Sequence, residues 1–229
     1  MRLLQSLSIL LGVAAIDGVS ATKCPVADTS IVKSEGNSVG KTIRYQGDSF
    51  ARAGYITVAP DLFDGDPAPE DLNAPGFNIT EFLRKHGPQS ADPKIETAIG
   101  YLRSELGAKK VAATGYCYGG KYSIRFLGKK EGADLGFAAH PSLLEDDEIS
   151  AIKGPASVAA SEMDALMSAE RRHAIERLLM ETGMAYQVSL YSGTEHGFAV
   201  RANMSDPKQK FGKETAFLQA VRWFEGWSS

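Results

Sequence analysis

Cysteine is almost missing from the chain. Two among 229 residues, Cys24 and Cys117, cannot build a disulfide scaffold, and no Cys/His set has the spacing of a structural zinc site. Long basic runs are missing too. Twenty-five Lys+Arg against 28 Asp+Glu give a formal charge of -3 and a pI near 5.9, so there is no electrostatic footprint for DNA or RNA and the expected partner is a small molecule. No apolar run is long enough to span a bilayer, and no internal repeat divides the chain. The composition, 43% hydrophobic and 23% charged, excludes disorder, collagen and coiled coil and leaves one ordinary domain able to bury a core.

At the start, Met1 and Arg2 precede a largely apolar run from Leu3 to Ile16, and small residues follow at Val19 and Ala21. That order matches a cleavable secretory signal over residues 1–21, cut after Ala21, with a buried or interfacial helix as the alternative. The expected product is secreted and extracellular, with no membrane contact after removal. The sequons at Asn78 (Asn78-Ile79-Thr80) and Asn203 (Asn203-Met204-Ser205) are compatible with surface glycosylation.

Residues 22–47 are expected to form an extended N-terminal arm, because Thr22 to Gly40 is polar and lacks periodicity. From 48 to 229 short apolar runs alternate with longer amphipathic segments, the trace of βαβ units and a parallel sheet. The expected strands are Ile56–Pro60, Val111–Gly115, Leu135–Ala139, Ala156–Ala160 and Gln187–Tyr191. Helices are expected to open at Asp92-Pro93, at Ser168 over Ala169–Thr182, and at Asp206-Pro207.

The strongest chemical signal is Gly115-Tyr116-Cys117-Tyr118-Gly119-Gly120, where a strand meets a helix. Glycines on both sides of a nucleophile allow a sharp turn that lifts the middle side chain out of the sheet. Backbone N–H groups at the helix start then favour a thiolate. A buried structural cysteine in a glycine-rich turn remains the competing reading. A nucleophile needs a base and the base an orienting acid. His196 lies just past the strand Gln187–Tyr191, and Asp164 just past Ala156–Ala160. Nucleophile, acid and histidine therefore follow in the order of the α/β-hydrolases, each after a different strand. His140 also ends a strand on the presumed ligand side, so a pocket role is open. His86 reads as a cation at a helix C-terminus and His173 as solvated. Glu162 and the pair Asp146-Asp147 compete with Asp164. Arg201 is long enough to return to the cleft and hold a substrate carboxylate, with a plain surface arginine as the alternative.

These residues resemble the dienelactone hydrolase family, in particular its secreted fungal members. The resemblance runs from about Asp48 to Trp227, through Ala53-Gly54-Tyr55, Pro60-Asp61-Leu62-Phe63-Asp64-Gly65-Asp66, the Cys117 turn, Ala139-His140-Pro141-Ser142 and Gly193-Thr194-Glu195-His196-Gly197-Phe198. It implies an α/β-hydrolase-like, doubly wound, mostly parallel sheet with helices on both faces. It also implies Cys117, Asp164 and His196 as a triad that hydrolyses a lactone or activated ester through a thioester, with no cofactor and no metal. The backbone N–H of Tyr118 would be one oxyanion donor, and Arg201 and His140 would face the substrate.

The chain also departs from the family. Between Gly47 and Asp48 about forty residues are missing, the length of two strands with their connections, so the N-terminal strands are expected to be incomplete. The last missing strand would lie in the middle of the sheet and lead to the second oxyanion donor. Three outcomes are open: Thr42–Gln46 moves into the gap, the flanking strands pair directly, or the sequence derives from a mis-spliced transcript. Cys24 could pair with Cys117 and block it, although a recessed thiol at this turn disfavours that.

Overall fold

The computed structural model describes residues 10–16, 41–69 and 74–228. Its centre is a six-stranded sheet. In chain order the strands are β1 (Leu10–Ile16), β2 (Ile56–Val58), β3 (Lys110–Tyr116), β4 (Leu135–Ala139), β5 (Ala156–Met163) and β6 (Tyr186–Glu195). Their order across the sheet is β2-β1-β3-β4-β5-β6. From β3 to β6 every pairing is parallel, whereas β1 runs antiparallel to both of its neighbours.

Strand β1 fills the gap left in the middle of the sheet. It pairs with β3 over its whole length, from Leu10↔Tyr116 to Ile16↔Lys110, and with β2 from Val13↔Val58 to Ala15↔Ile56. The apolar run expected to serve as a cleavable signal is thus a strand with a neighbour on each side. Seven consecutive apolar or small residues suit a central strand as well as a leader, and the hydropathy pattern does not distinguish them. Neither anticipated remedy occurs: the flanking strands do not pair directly, and Thr42–Gln46 lies within helix α1 (Lys41–Arg52). Residues 41–47 of the expected arm are thus helical, and Thr22–Gly40 lies outside the described residues. Helix geometry puts Gln46 and Phe50 on one buried face, where Gln46 donates to the Ala199 carbonyl at 3.3 Å.

The remaining helices are α2 (Ile79–Lys85), α3 (Pro88–Ser104), α4 (Tyr118–Arg125), α5 (Asp146–Ser150), α6 (Ala169–Glu181), α7 (Phe198–Arg201) and α8 (Pro207–Trp227). They cover both faces, as a doubly wound sheet requires. Alternation along the strands separates the two cores. Val111 and Ala113 of β3 join Ile95, Ile99 and Leu102 of α3, whereas Ala112 and Tyr116 join Phe50 of α1 and Ala220 and Phe224 of α8.

Helix α3 starts earlier than its sequence signals suggest. Gly87 is the N-cap, Pro88 opens the helix and Pro93 is internal. Asp92 does not cap. Its carboxylate accepts from Arg125 at 2.8–3.2 Å and from Lys129 at 2.8 Å, so ion pairs to α4 and the turn after it outweigh the local cap signal. Arg125 also reaches Glu148 at 3.1 Å, and Glu148 pairs with the buried Lys121 at 2.9 Å. This network ties α4 to α3 and α5. The caps Ser168 and Asp206 fall where the sequence puts them.

Candidate active site

Helix α4 begins directly after β3, and Cys117 is the turn between them. Its backbone sits at φ 51°, ψ -121°, a conformation that L-residues adopt only under constraint. The glycines permit it by steric necessity. A Cβ on Gly115 would lie 2.0 Å from the Gly119 carbonyl oxygen, and one on Gly120 would lie 2.9 Å from Pro141 Cβ. The Cys117 carbonyl accepts from Gly120 N–H at 3.0 Å and Ser142 N–H at 3.1 Å. The turn is thereby pinned to its own helix and to the segment after β4.

The acid and the histidine are delivered by strand register. A β-bulge between Ser161 and Met163 shifts the β5–β6 pairing so that Met163 stands opposite Glu195. The next residues, Asp164 and His196, then meet: His196 Nδ1 lies 2.9 and 3.0 Å from the two Asp164 oxygens. The Asp164 carboxylate is fully buried and further accepts from Ser161 Oγ at 2.8 Å, Leu166 N–H at 2.9 Å and Met167 N–H at 3.1 Å. A ring nitrogen of His196 lies within 4.8 Å of Cys117 Sγ. Burial pulls the His196 pKa down, but its bonds to Asp164 and Cys117 outweigh it and push the pKa up to about 9.

His140 is closer to the sulfur than sequence reasoning suggests. Its Nδ1 accepts from the Cys117 backbone N–H at 3.3 Å and lies 3.4 Å from Sγ. The ring is fully buried, and its centroid is 5.0 Å from that of His196. Burial, then His196 and Arg201, hold the His140 pKa well below the ordinary histidine value, so the ring is neutral. The accepted N–H puts the ring proton on Nε2, which has no partner among the described residues.

Arg201 ends α7 with its guanidinium folded over Gly197. A Cβ there would lie 2.4 Å from Nη2, and Gly197 itself adopts φ 93°. The arginine is exposed at the rim beside His196. Tyr118 opens α4, so by position its backbone N–H lacks an intrahelical acceptor. The Tyr118 side chain is occupied elsewhere: its hydroxyl donates to the His86 carbonyl at 3.2 Å and meets Tyr122 Oη at 2.8 Å.

The competing carboxylates stand apart from this cluster. Glu162 accepts from Gly193 N–H at 2.7 Å, Asp146 pairs with Arg171, and Asp147 accepts from Glu148 N–H at 2.9 Å. His173 is exposed, as expected. His86 ends α2, at the helix C-terminus where the sequence puts it. It is buried as the α2 C-cap between the rings of Phe63 and Phe82, with Nε2 3.3 Å from Asp66. Asn78 and Asn203 are exposed, and each Oδ1 accepts local backbone N–H groups. Cys24 lies outside the described residues. Ser161 went unnoticed in the sequence because its role needs the bulge.

Known proteins resemble this chain in sequence and in fold. The pattern of the Dienelactone hydrolase family matches residues 25–228. The hydrolase pyvD of Aspergillus violaceofuscus is 44% identical over 177 residues, covering 77% of this chain and 71% of its own. The hydrolase tropI of Talaromyces stipitatus is 42% identical over 188 residues, covering 77% and 72%. The fold resembles that of a crystallised Klebsiella pneumoniae protein described as a dienelactone hydrolase, with a TM-score of 0.62 at 14% identity and 81% of each chain covered.

Proposed function

Because the chain belongs to the dienelactone hydrolase family and is a carboxylic ester hydrolase, we propose that it opens a lactone or cleaves an activated ester through Cys117, His196 and Asp164. The observation that carries this reading is the Asp164–His196 pair at 2.9 Å beside the Cys117 turn.

His196 takes the thiol proton through the nitrogen not bound to Asp164, and Sγ adds to the substrate carbonyl. The resulting oxyanion is held by the Tyr118 N–H at the start of α4. Collapse breaks the acyl C–O bond and leaves a thioester on Cys117. An enolate or phenolate leaves readily and takes up the His196 proton as it departs or just after, which returns His196 to its neutral form. Neutral His196 then deprotonates water for attack on the thioester, the C–S bond breaks to release the carboxylic acid, the proton returns from His196 to the sulfur, and Asp164 fixes the ring tautomer throughout. Arg201, at the rim, holds a substrate carboxylate. Neither a cofactor nor a metal takes part in these steps.

The test is intact-mass analysis of the chain during turnover of p-nitrophenyl acetate or an enol-lactone. An acetyl or acyl adduct on Cys117, absent in Cys117→Ala, supports the mechanism. Loss of preference for anionic lactones in Arg201→Ala separates it from a general carboxylesterase.

A second reading, a relative with an impaired site, is favoured by one observation: with residues 1–21 retained, β1 occupies the position whose following loop would give the second oxyanion donor. Loss of one donor costs about 100- to 1,000-fold in turnover. Secretion, with glycans on Asn78 and Asn203, is a separate proposal, and cleavage after Ala21 would take β1 out of the sheet. Glycosidase-sensitive mass in the culture medium of a eukaryotic host tests it, and a chain retained in the cell without glycans opposes it.

A further inference from the structure

Among the described residues, Cys117, His140 and His196 each offer one ligand atom within 4.8 Å of the others. The proposed hydrolysis uses the first and the third and leaves His140 without a chemical role. We propose that the three side chains form a binding site for one zinc-type divalent cation, which reversibly shuts off the nucleophile when bound.

The donor set selects the metal. One thiolate and two imidazoles suit zinc and its late transition-metal neighbours and do not suit magnesium or calcium, which take oxygen. The spacing is close to what zinc needs: bonds of about 2.3 Å to sulfur and about 2.05 Å to nitrogen put the two donors about 3.5 Å apart at a tetrahedral angle. Cys117 Sγ and His140 Nδ1 are 3.4 Å apart. The His196 nitrogen lies within 4.8 Å of both, so a closure of at most about 1.5 Å completes the third bond.

The surroundings favour ligation as well. Asp164 holds His196 Nδ1 and leaves the other nitrogen directed at the sulfur, the carboxylate–histidine arrangement that orients metal ligands. The Cys117 N–H that now reaches His140 Nδ1 also donates to the Ala139 carbonyl at 3.2 Å, so it keeps a partner once the metal takes Nδ1. Arg201 adds positive charge nearby, which the thiolate and Asp164 offset.

Binding forms three metal–ligand bonds and releases the thiol proton, together with the second ring proton of His196 where that is present. No electron is transferred. Three protein ligands leave a fourth position for water. A metal-bound sulfur and a metal-bound His196 nitrogen cannot perform the attack and the proton transfer, so occupation inhibits.

Cobalt(II) provides a readout independent of turnover. Titrating the full chain with Co2+ without oxygen should produce a near-ultraviolet sulfur-to-cobalt charge-transfer band and intense tetrahedral visible bands, both bleached by Zn2+. Cys117→Ser should abolish the charge-transfer band. His140→Ala should weaken binding by about 100-fold, at least the upper end of what losing an outer-shell partner costs. His140→Asn keeps an acceptor for the Cys117 N–H while removing the soft donor, and circular dichroism with a thermal melt shows whether it is folded. The proposal is overturned if the parent chain shows no charge-transfer band, or if folded His140→Asn binds Co2+ as tightly as the parent. In parallel, Zn2+ should inhibit p-nitrophenyl acetate hydrolysis and EDTA should restore it. A cobalt band in a chain without esterase activity supports the metal site and counts against the hydrolytic reading alone. Esterase activity indifferent to Zn2+, with no cobalt band, overturns the metal site alone.

Discussion

Asp164 and His196 meet because the residues before them, Met163 and Glu195, are cross-strand partners beyond a bulge. With the strands in unshifted register, Met163 would not face Glu195 and the carboxylate would not reach Nδ1. The Asp164→Asn substitution preserves the shape but can turn its amide toward Nδ1, leaving His196 in the wrong tautomer. Steady-state assay with p-nitrophenyl acetate should show turnover reduced by about 10,000-fold, as when the corresponding acid of a serine triad is made an amide. Unchanged turnover would mean that this pair does not orient the base.

Two neighbouring histidines with opposite shifts predict the pH dependence of stability. His196 has its pKa raised from 6.5 to about 9, so its contribution is fully present below 6.5 and is lost as pH rises through 9. His140 has its pKa lowered well below 6.5, so the folded state resists the proton that the unfolded chain binds and stability falls as pH drops below 6.5. Urea midpoints measured across this range should peak near neutral pH. In Asp164→Asn the decline toward pH 9 should flatten, and in His140→Asn the decline on the acid side should flatten.

Strand β1 lies between β2 and β3, so removing residues 1–21 strips ladder partners from both. Buried N–H and C=O groups left without partners cost about 1–3 kcal/mol each, and several are exposed at once. The chain from residue 22 onward should aggregate or melt at clearly lower temperature than the chain from residue 1. Equal melting temperatures and equal solubility would show that β1 is dispensable.

Gly115 faces the Gly119 carbonyl so closely that a Cβ would lie 2.0 Å from its oxygen. Both groups are backbone and neither can swing aside. Gly115→Ala should therefore cost about 3 kcal/mol or more in denaturant unfolding, and surviving folded protein should lose activity because the Cys117 turn has shifted. Gly100→Ala, at an exposed position within α3, serves as the control. Nothing lies within 4 Å of the new Cβ there, and stability should rise slightly.

Much of the fold was legible in the sequence where hydropathy alone decides. Leu135–Ala139 is an uninterrupted apolar run and is a strand with those bounds. Ser168 and Asp206 cap because nothing tertiary competes for their side chains. Where a distant partner decides, the sequence is silent: Asp92 looks like a cap until Arg125 claims it, and the apolar run that reads as a leader gives no sign that Leu10–Ile16 can pair with two strand edges. The places of Cys117, Asp164 and His196, after β3, β5 and β6, were readable from the hydropathy pattern. His140 at 3.4 Å from Sγ was not, because its approach depends on a positive φ of 37° after β4 and on the packing of Pro141 against Gly120.

The most direct test is to quench the reaction of the purified full chain with p-nitrophenyl acetate in acid and map the adduct. A single acetyl group on Cys117, formed in a burst and lost with turnover, is the predicted result. Turnover with Cys117 unmodified, and undiminished in Cys117→Ala, would contradict it.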